Sequence, residues 1–219
     1  MRSMSILALV FLFAINASVA QKPPFFDEIQ NFKRQDSLAQ SPKNVILFVG
    51  SSSFRLWENL QKDFPQYRIL NRGFGGSHLP EITLYANDII FPYQPKQILI
   101  YGGDNDLAEG DSVTAYVVLR RFQDLFNTIR KKLPLTPIAF VSIKPSPSRK
   151  NLMSRAEQAN LLIRGFLQDK LNTSFIDIYY PMLDESGEPR KDIFLSDNLH
   201  MNEKGYEIWK KVIQPYLIK

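Results

Sequence analysis

The sequence predicts an α/β protein, a three-layer α/β/α sandwich with a five-stranded parallel sheet. Five short strand-like runs alternate with helical stretches, several of ten or more residues, and such spacing requires crossover connections. Three successive runs also end in glycine-bearing polar turns, at Gly50, at 73–76 and at Gly102-Gly103. In an open sheet those carboxyl ends share one crevice. No internal repeat or second domain is visible, and residues 21–219 suffice for one domain with a full core.

Taken in order, residues 1–20 carry Arg2, an apolar run at 6–15 and small residues before Gln21. That is the layout of a signal peptide cleaved after Ala20, which predicts a secreted or periplasmic protein. The run is too short for a comfortable membrane span, and an uncleaved anchor is the weaker reading. The chain has no cysteine, which excludes disulfides and a cysteine-linked lipid. Residues 21–43 read as a polar leader, punctuated by Pro23, Pro24 and Pro42, with a short helix at 27–34 and Phe25, Phe26 and Phe32 as anchors. The main domain is then 44–219.

Val45 to Val49 is the first strand; the turn at Gly50, Ser51, Ser52 and Ser53 leads into a helix over 54–62, with Leu56, Trp57 and Leu60 at helical spacing. A serine at this turn is placed to be a nucleophile, and equally to cap the helix. A second strand at 68–71 runs into the glycine turn, and 79–90 resumes as helix. Residues 97–101 form the third strand. The helix predicted over 112–132 buries Val113, Tyr116, Val117, Leu119, Phe122, Leu125, Phe126 and Ile129. A fourth strand spans 137–143, followed by a stiff loop at 144–149, a helix over 154–170, a fifth strand at 174–178 and a long loop at 180–196. Asn202 caps a final helix reaching 216.

The formal charge of +5 comes from scattered lysines and arginines. No basic stripe interleaved with aromatics is present, so no nucleic-acid partner is predicted. Nucleotide binding fails on spacing: Gly73 and Gly75 begin a dinucleotide fingerprint, but its third glycine falls at His78, and no glycine-lysine pair follows Gly50 as a phosphate loop needs. A hydrolytic site needs a base, and there are two histidines, His78 and His200. Asp197 lies three residues before His200, where one turn can set a carboxylate beside the imidazole. A helix-entry histidine with an incidental cap fits the same spacing. His78 has no such partner in sequence and reads as a polar residue at a helix start.

Four separated motifs, Gly50-Ser51-Ser52-Ser53, 71–77, Gly103-Asp104-Asn105-Asp106 and Asp197-Asn198-Leu199-His200, together resemble the SGNH hydrolase family, also called GDSL-type esterases and lipases. The resemblance runs over about 44–216 and is in particular to the branch similar to platelet-activating-factor acetylhydrolase subunits. The resemblance implies an SGNH, flavodoxin-like sheet. It makes Ser52 the nucleophile, His200 the base and Asp197 its orienting partner. It also implies an oxyanion hole formed by the amides of Ser52 and Gly76 and the side chain of Asn105. Ser51 stands where the family has aspartate and is expected to supply a supporting hydrogen bond.

The expected activity is hydrolysis of short-acyl esters through an acyl-enzyme, with a small-molecule or carbohydrate ester as substrate. No metal or cofactor is expected; Asp104 and Asp106 are read as loop-shaping groups. Arg55, Lys144, Ser146 and Arg149 follow strand ends and are expected to line the pocket. A carbohydrate O-acetylesterase is the narrower alternative, and a non-catalytic ligand-binding protein the alternative from another class.

Overall fold

A computed structural model describes residues 22–39 and 41–219; the expected signal segment and its cleavage site lie outside them. The sheet has five parallel strands, β1 (Ile46–Gly50), β2 (Ile69–Gly73), β3 (Gln97–Tyr101), β4 (Ile138–Val141) and β5 (Thr173–Ile176). Their spatial order is β2-β1-β3-β4-β5. Gly50 sits opposite Gly73 on one side and Tyr101 on the other, so β1, β2 and β3 end level.

Side chains alternate across the strands and divide the core in two. Leu47, Val49, Ile98, Ile100, Ile138 and Phe140 face one layer, with α1 (Phe26–Ala39), α4 (Leu79–Leu84), α5 (Ala86–Ile89), α7 (Ala115–Lys132) and α8 (Met153–Gln168). Ile46, Phe48, Leu99, Tyr101, Ala139 and Val141 face the other, with α2 (Ser52–Arg55), α3 (Leu60–Asp63) and α9 (Glu203–Ile213). Between the layers' elements, α6 (Asp104–Ala108) follows β3 directly. This is the predicted three-layer sandwich.

Several boundaries differ from the sequence reading. The helix expected over 54–62 is two single turns, α2 and α3, because Trp57 turns into the core, where it stacks on Tyr206 at 5.0 Å and donates from Nε1 to Asp63 at 2.7 Å. The helix expected over 79–90 breaks at Tyr85, whose hydroxyl donates to the Pro24 carbonyl at 2.6 Å. Helix α7 starts after Thr114 and buries Ala115, Val118, Phe122, Leu125, Phe126 and Ile129. Tyr116, expected in that stripe, is 61% exposed.

The leader helix is longer than expected, 14 residues, with Asp27 and Glu28 in its first turn, where negative charge favours a helix. It buries Ile29, sets the Phe25 ring edge-on to Phe74 at 5.3 Å and pairs Asp36 with Arg72. Tyr93 also donates to Asp36, at 2.6 Å. No helix among the described residues is long and apolar enough to cross a membrane.

Candidate active site

Ser52 opens α2 directly beyond β1. The turn depends on Gly50: its φ is +154°, and a Cβ there would lie 2.0 Å from the Tyr101 carbonyl oxygen, so β1 can pass β3 only without a side chain. Ser51 is extended and donates its amide to that same carbonyl at 3.1 Å. Its hydroxyl is buried and has no hydrogen-bond partner among the described residues. The supporting hydrogen bond expected of Ser51 is therefore not made.

His200 Nε2 lies 3.1 Å from Ser52 Oγ, and His200 Nδ1 lies 2.6 Å from Asp197 Oδ2. The other Asp197 oxygen accepts the amides of Leu199 and His200, both at 2.9 Å. Burial opposes ionisation of Asp197, but these two amides and the imidazole outweigh it and hold the carboxyl at about 2. The loop is fastened at both ends. Leu195 donates to the His200 carbonyl, and Asn202 caps α9 while donating its side-chain amide to the Asp192 and Phe194 carbonyls. Asn198, at φ +56°, makes the tight turn between Asp197 and His200.

The glycine turn after β2 packs on α2. A Cβ at Gly73 would lie 2.6 Å from the Arg55 amide, and Asn71 donates to the Phe54 carbonyl at 2.6 Å while accepting the Gly73 amide at 2.9 Å. Glu28 of α1 accepts the Gly75 amide at 3.1 Å. Gly76 has φ +67°. The amides of Ser52 and Gly76 make no hydrogen bond to another described residue. Asn105, first turn of α6, donates from Nδ2 to the Ser77 carbonyl at 3.1 Å, which uses one of its two amide hydrogens.

Of the other residues expected near the pocket, Arg55 lies over Gly75, its guanidinium 3.1 Å from where a Cβ would be. Lys144 and Arg149 reach Asp104, at 2.8 and 3.1 Å, and Arg149 also donates to Asn105 Oδ1 at 2.9 Å. Ser146 is buried, with its hydroxyl unpartnered among the described residues. Burial disfavours the Asp104 charge, yet the two cations hold its carboxyl at about 2. Asp106 is fully buried; it accepts the Leu79 amide and pairs with Arg121 at 2.8 Å. Burial raises its pKa in spite of those partners.

The reading that His78 lacks a carboxylate partner is corrected. Glu81, three residues on, lies 3.0 Å from Nδ1 and accepts the His78 amide at 2.8 Å, the back-bond of a helix-start capping box. Glu109 lies 3.5 Å from Nε2. The spacing x-x-Glu after His78 was a signal for this pairing. The ion pairs of Asp104 and Asp106, by contrast, join residues 15 to 45 positions apart and leave no local pattern.

A groove of about 860 Å³ runs beside Asp197, lined by Pro147, Ser148, Lys150, Asp184, Glu188 and Lys191 among others. Its walls mix polar and apolar surface and carry both signs of charge. No group of three or more acidic or histidine side chains suited to a metal occurs among the described residues.

A serine at the carboxyl edge of a parallel sheet, hydrogen-bonded to a histidine that is held by an aspartate, defines an α/β protein built around a hydroxyl-imidazole-carboxylate series. Residues 36–208 match the family described as GDSL-like lipase/acylhydrolase, and the chain belongs to that family. Solved structures are similar over most of the chain. A Streptococcus pneumonia protein provisionally named a platelet activating factor is 22% identical, with a TM-score of 0.76 over 88% of this chain and 92% of its own. A GDSL-like lipase from Bacteroides thetaiotaomicron is 16% identical, with 0.71 over 86% and 96%. An acetylxylan esterase from Geobacillus stearothermophilus is 12% identical, with 0.65 over 81% and 96%. At these identities the likeness is one of fold. Among curated proteins, none matches.

Proposed function

We propose that the protein is a serine esterase acting on short-acyl esters, with Ser52 as nucleophile, His200 as general base and Asp197 as the group that orients the imidazole. The observation that carries this is the unbroken series from Ser52 Oγ to His200 Nε2 at 3.1 Å and from His200 Nδ1 to Asp197 at 2.6 Å. Asp197 fixes the tautomer in which Nε2 is free to accept the serine proton. As Oγ attacks the ester carbonyl, the imidazolium forms beside a carboxylate that stays ionised at neutral pH.

The negative oxygen of the tetrahedral intermediate is met by the free amides of Ser52 and Gly76 and by the remaining amide hydrogen of Asn105. His200 then gives its proton to the leaving alcohol, and water repeats the sequence on the acyl-enzyme. No step draws on a metal or cofactor. The signal-like segment at 1–20 supports action outside the cytoplasm, in the medium or the periplasm.

The charged residues of both signs along the groove beside Asp197 favour a narrower form of this reading, a carbohydrate O-acetylesterase. Hydroxyl-rich alcohols suit paired charges such as Lys150 and Glu188, 2.7 Å apart. The fold shared with an acetylxylan esterase is consistent with it.

The test is hydrolysis of a p-nitrophenyl series from acetyl to long acyl chains, beside acetylated xylan oligosaccharides. Activity falling with chain length and lowered about 10⁴-fold or more by Ser52→Ala is expected. Wild-type rates in that variant overturn the assignment of Ser52. A wild-type protein that neither turns over esters nor reacts with a serine-directed phosphonate is instead a binding protein.

A further inference from the structure

Behind Asn105 lies a buried cluster with one negative and two positive charges. Asp104, Lys144 and Arg149 have side chains 8%, 1% and 21% exposed. Lys144 Nζ sits 2.8 Å from one Asp104 oxygen, and Arg149 Nη1 sits 3.1 Å from the other. That second contact is one of charge only, without hydrogen-bond geometry. The Tyr101 hydroxyl, 3.3 Å from Asp104, adds no negative charge, since burial and the neighbouring carboxylate push its pKa well above the ordinary value. Asp104 and Lys144 already balance each other. Arg149, partly buried, is the surplus cation, and a surplus charge drawn away from water costs stability unless it has another use.

Its other arm shows where that use lies. Arg149 Nη2 donates to Asn105 Oδ1 at 2.9 Å, while Asn105 Nδ2 donates to the Ser77 carbonyl at 3.1 Å. Turning the carboxamide over would set N–H against N–H at Arg149 and oxygen against oxygen at Ser77. One orientation survives, and it leaves a single N–H unclaimed. A guanidinium on the carboxamide oxygen also polarises that N–H, which strengthens it as a donor.

We infer that Arg149 is a positioning residue: it locks the carboxamide of Asn105 in its donating orientation and places a surplus positive charge behind it. The inference rests on the esterase reading, in which Asn105 meets the oxyanion. Lys144 could not substitute for it, because an ammonium lacks the planar fork that spans Asp104 and Asn105 together.

The experiment is steady-state hydrolysis of p-nitrophenyl acetate by R149M, R149K and R149A, with N105A and N105A/R149M. In R149M kcat should fall about tenfold or more, short of the roughly 10²–10³ that follows loss of an oxyanion donor, with KM nearly unchanged. R149K should not recover the rate, whereas added guanidinium should partly restore R149A. The double variant should be no slower than N105A. A wild-type kcat in R149M, or a further full drop in the N105A background, overturns the inference while leaving the Ser52 assignment standing.

Should the wild type show no turnover, the esterase reading fails by itself and the positioning role is read by NMR. The Asn105 side-chain amide signals, assigned by their loss in N105A, should shift or broaden in R149M. Unmoved signals overturn it.

Discussion

At the scale of single residues, two buried polar groups at the site behave in opposite ways. Ser51 Oγ has no partner among the described residues, although the family pattern places a carboxylate there. Asp104 is the reverse case, with two cations on one carboxylate. Its pKa of about 2 lies below the ordinary 3.8, so its stabilising effect is full above about pH 4 and drains away as the pH falls toward 2. From those values the effect is on the order of 2 kcal/mol. Urea unfolding from pH 7 to 2.5 should show this loss in the wild type and lack it in Asp104→Asn. At pH 7 that variant should be about 3–5 kcal/mol less stable, because the buried Lys144 and the partly buried Arg149 are left with no counter-charge. Asp197 is also held at about 2, but it is half exposed, so solvent screens its contribution to stability.

At the scale of elements, α1 is part of the sheet's support. With the residue before it, α1 touches the turn that carries Gly76 at two points, Glu28 on the Gly75 amide and Phe25 on the Phe74 ring. Asp36 anchors its far end to Arg72, a pair 12% and 7% exposed. Arg72 also lies over the Phe32 and Tyr93 rings. Asp36→Asn should therefore cost about 3–5 kcal/mol by chemical denaturation, since it strands a buried guanidinium. Asp27→Asn, on the same helix but in a pair 67% and 83% exposed, should cost under about 1 kcal/mol. Equal effects from both would show that α1 is not docked through Arg72.

At the scale of the whole molecule, the layered sandwich was legible in the alternation of apolar runs and amphipathic stretches; the ends of β1 and β3 fall within one residue of expectation, whereas β2 runs two residues further and β4 and β5 stop two residues sooner. Glycines at 50 and 73 stand where backbone passes close to backbone, and Gly103 stands against the Ile143 and Val118 side chains. What stayed hidden was set by distant partners. The break after Arg55 follows from burying Trp57 on Tyr206, and the exposed position of Tyr116 follows from which side of α7 meets the sheet. No local periodicity encodes the pairing of Arg149 with Asp104 and Asn105 or of Arg72 with Asp36. Polar networks of this kind are legible only once the topology has folded their members together.

The topology also orders local stability. Strands β1 and β3 are buried along their full length, while β2 and β5 hold half-buried positions at the sheet's edges. Native-state hydrogen exchange should find the amides of Leu47 to Val49 and Leu99 to Tyr101 among the last to exchange, and those of Ile69 and Ser174 much earlier. Uniform protection across all five strands would contradict this ranking.

Ser52 and His200 are 148 residues apart, and the loop carrying His200 is held by α9. The tail behind it is tied to the start of β3, where Gln97 donates to the Tyr216 carbonyl and accepts the Ile218 amide. A ribosome therefore releases the serine long before the base that would activate it. On the proposed chemistry, a nascent or prematurely terminated chain is chemically silent. On that chemistry, reactivity waits for α9 to dock and bring the His200 loop to Ser52.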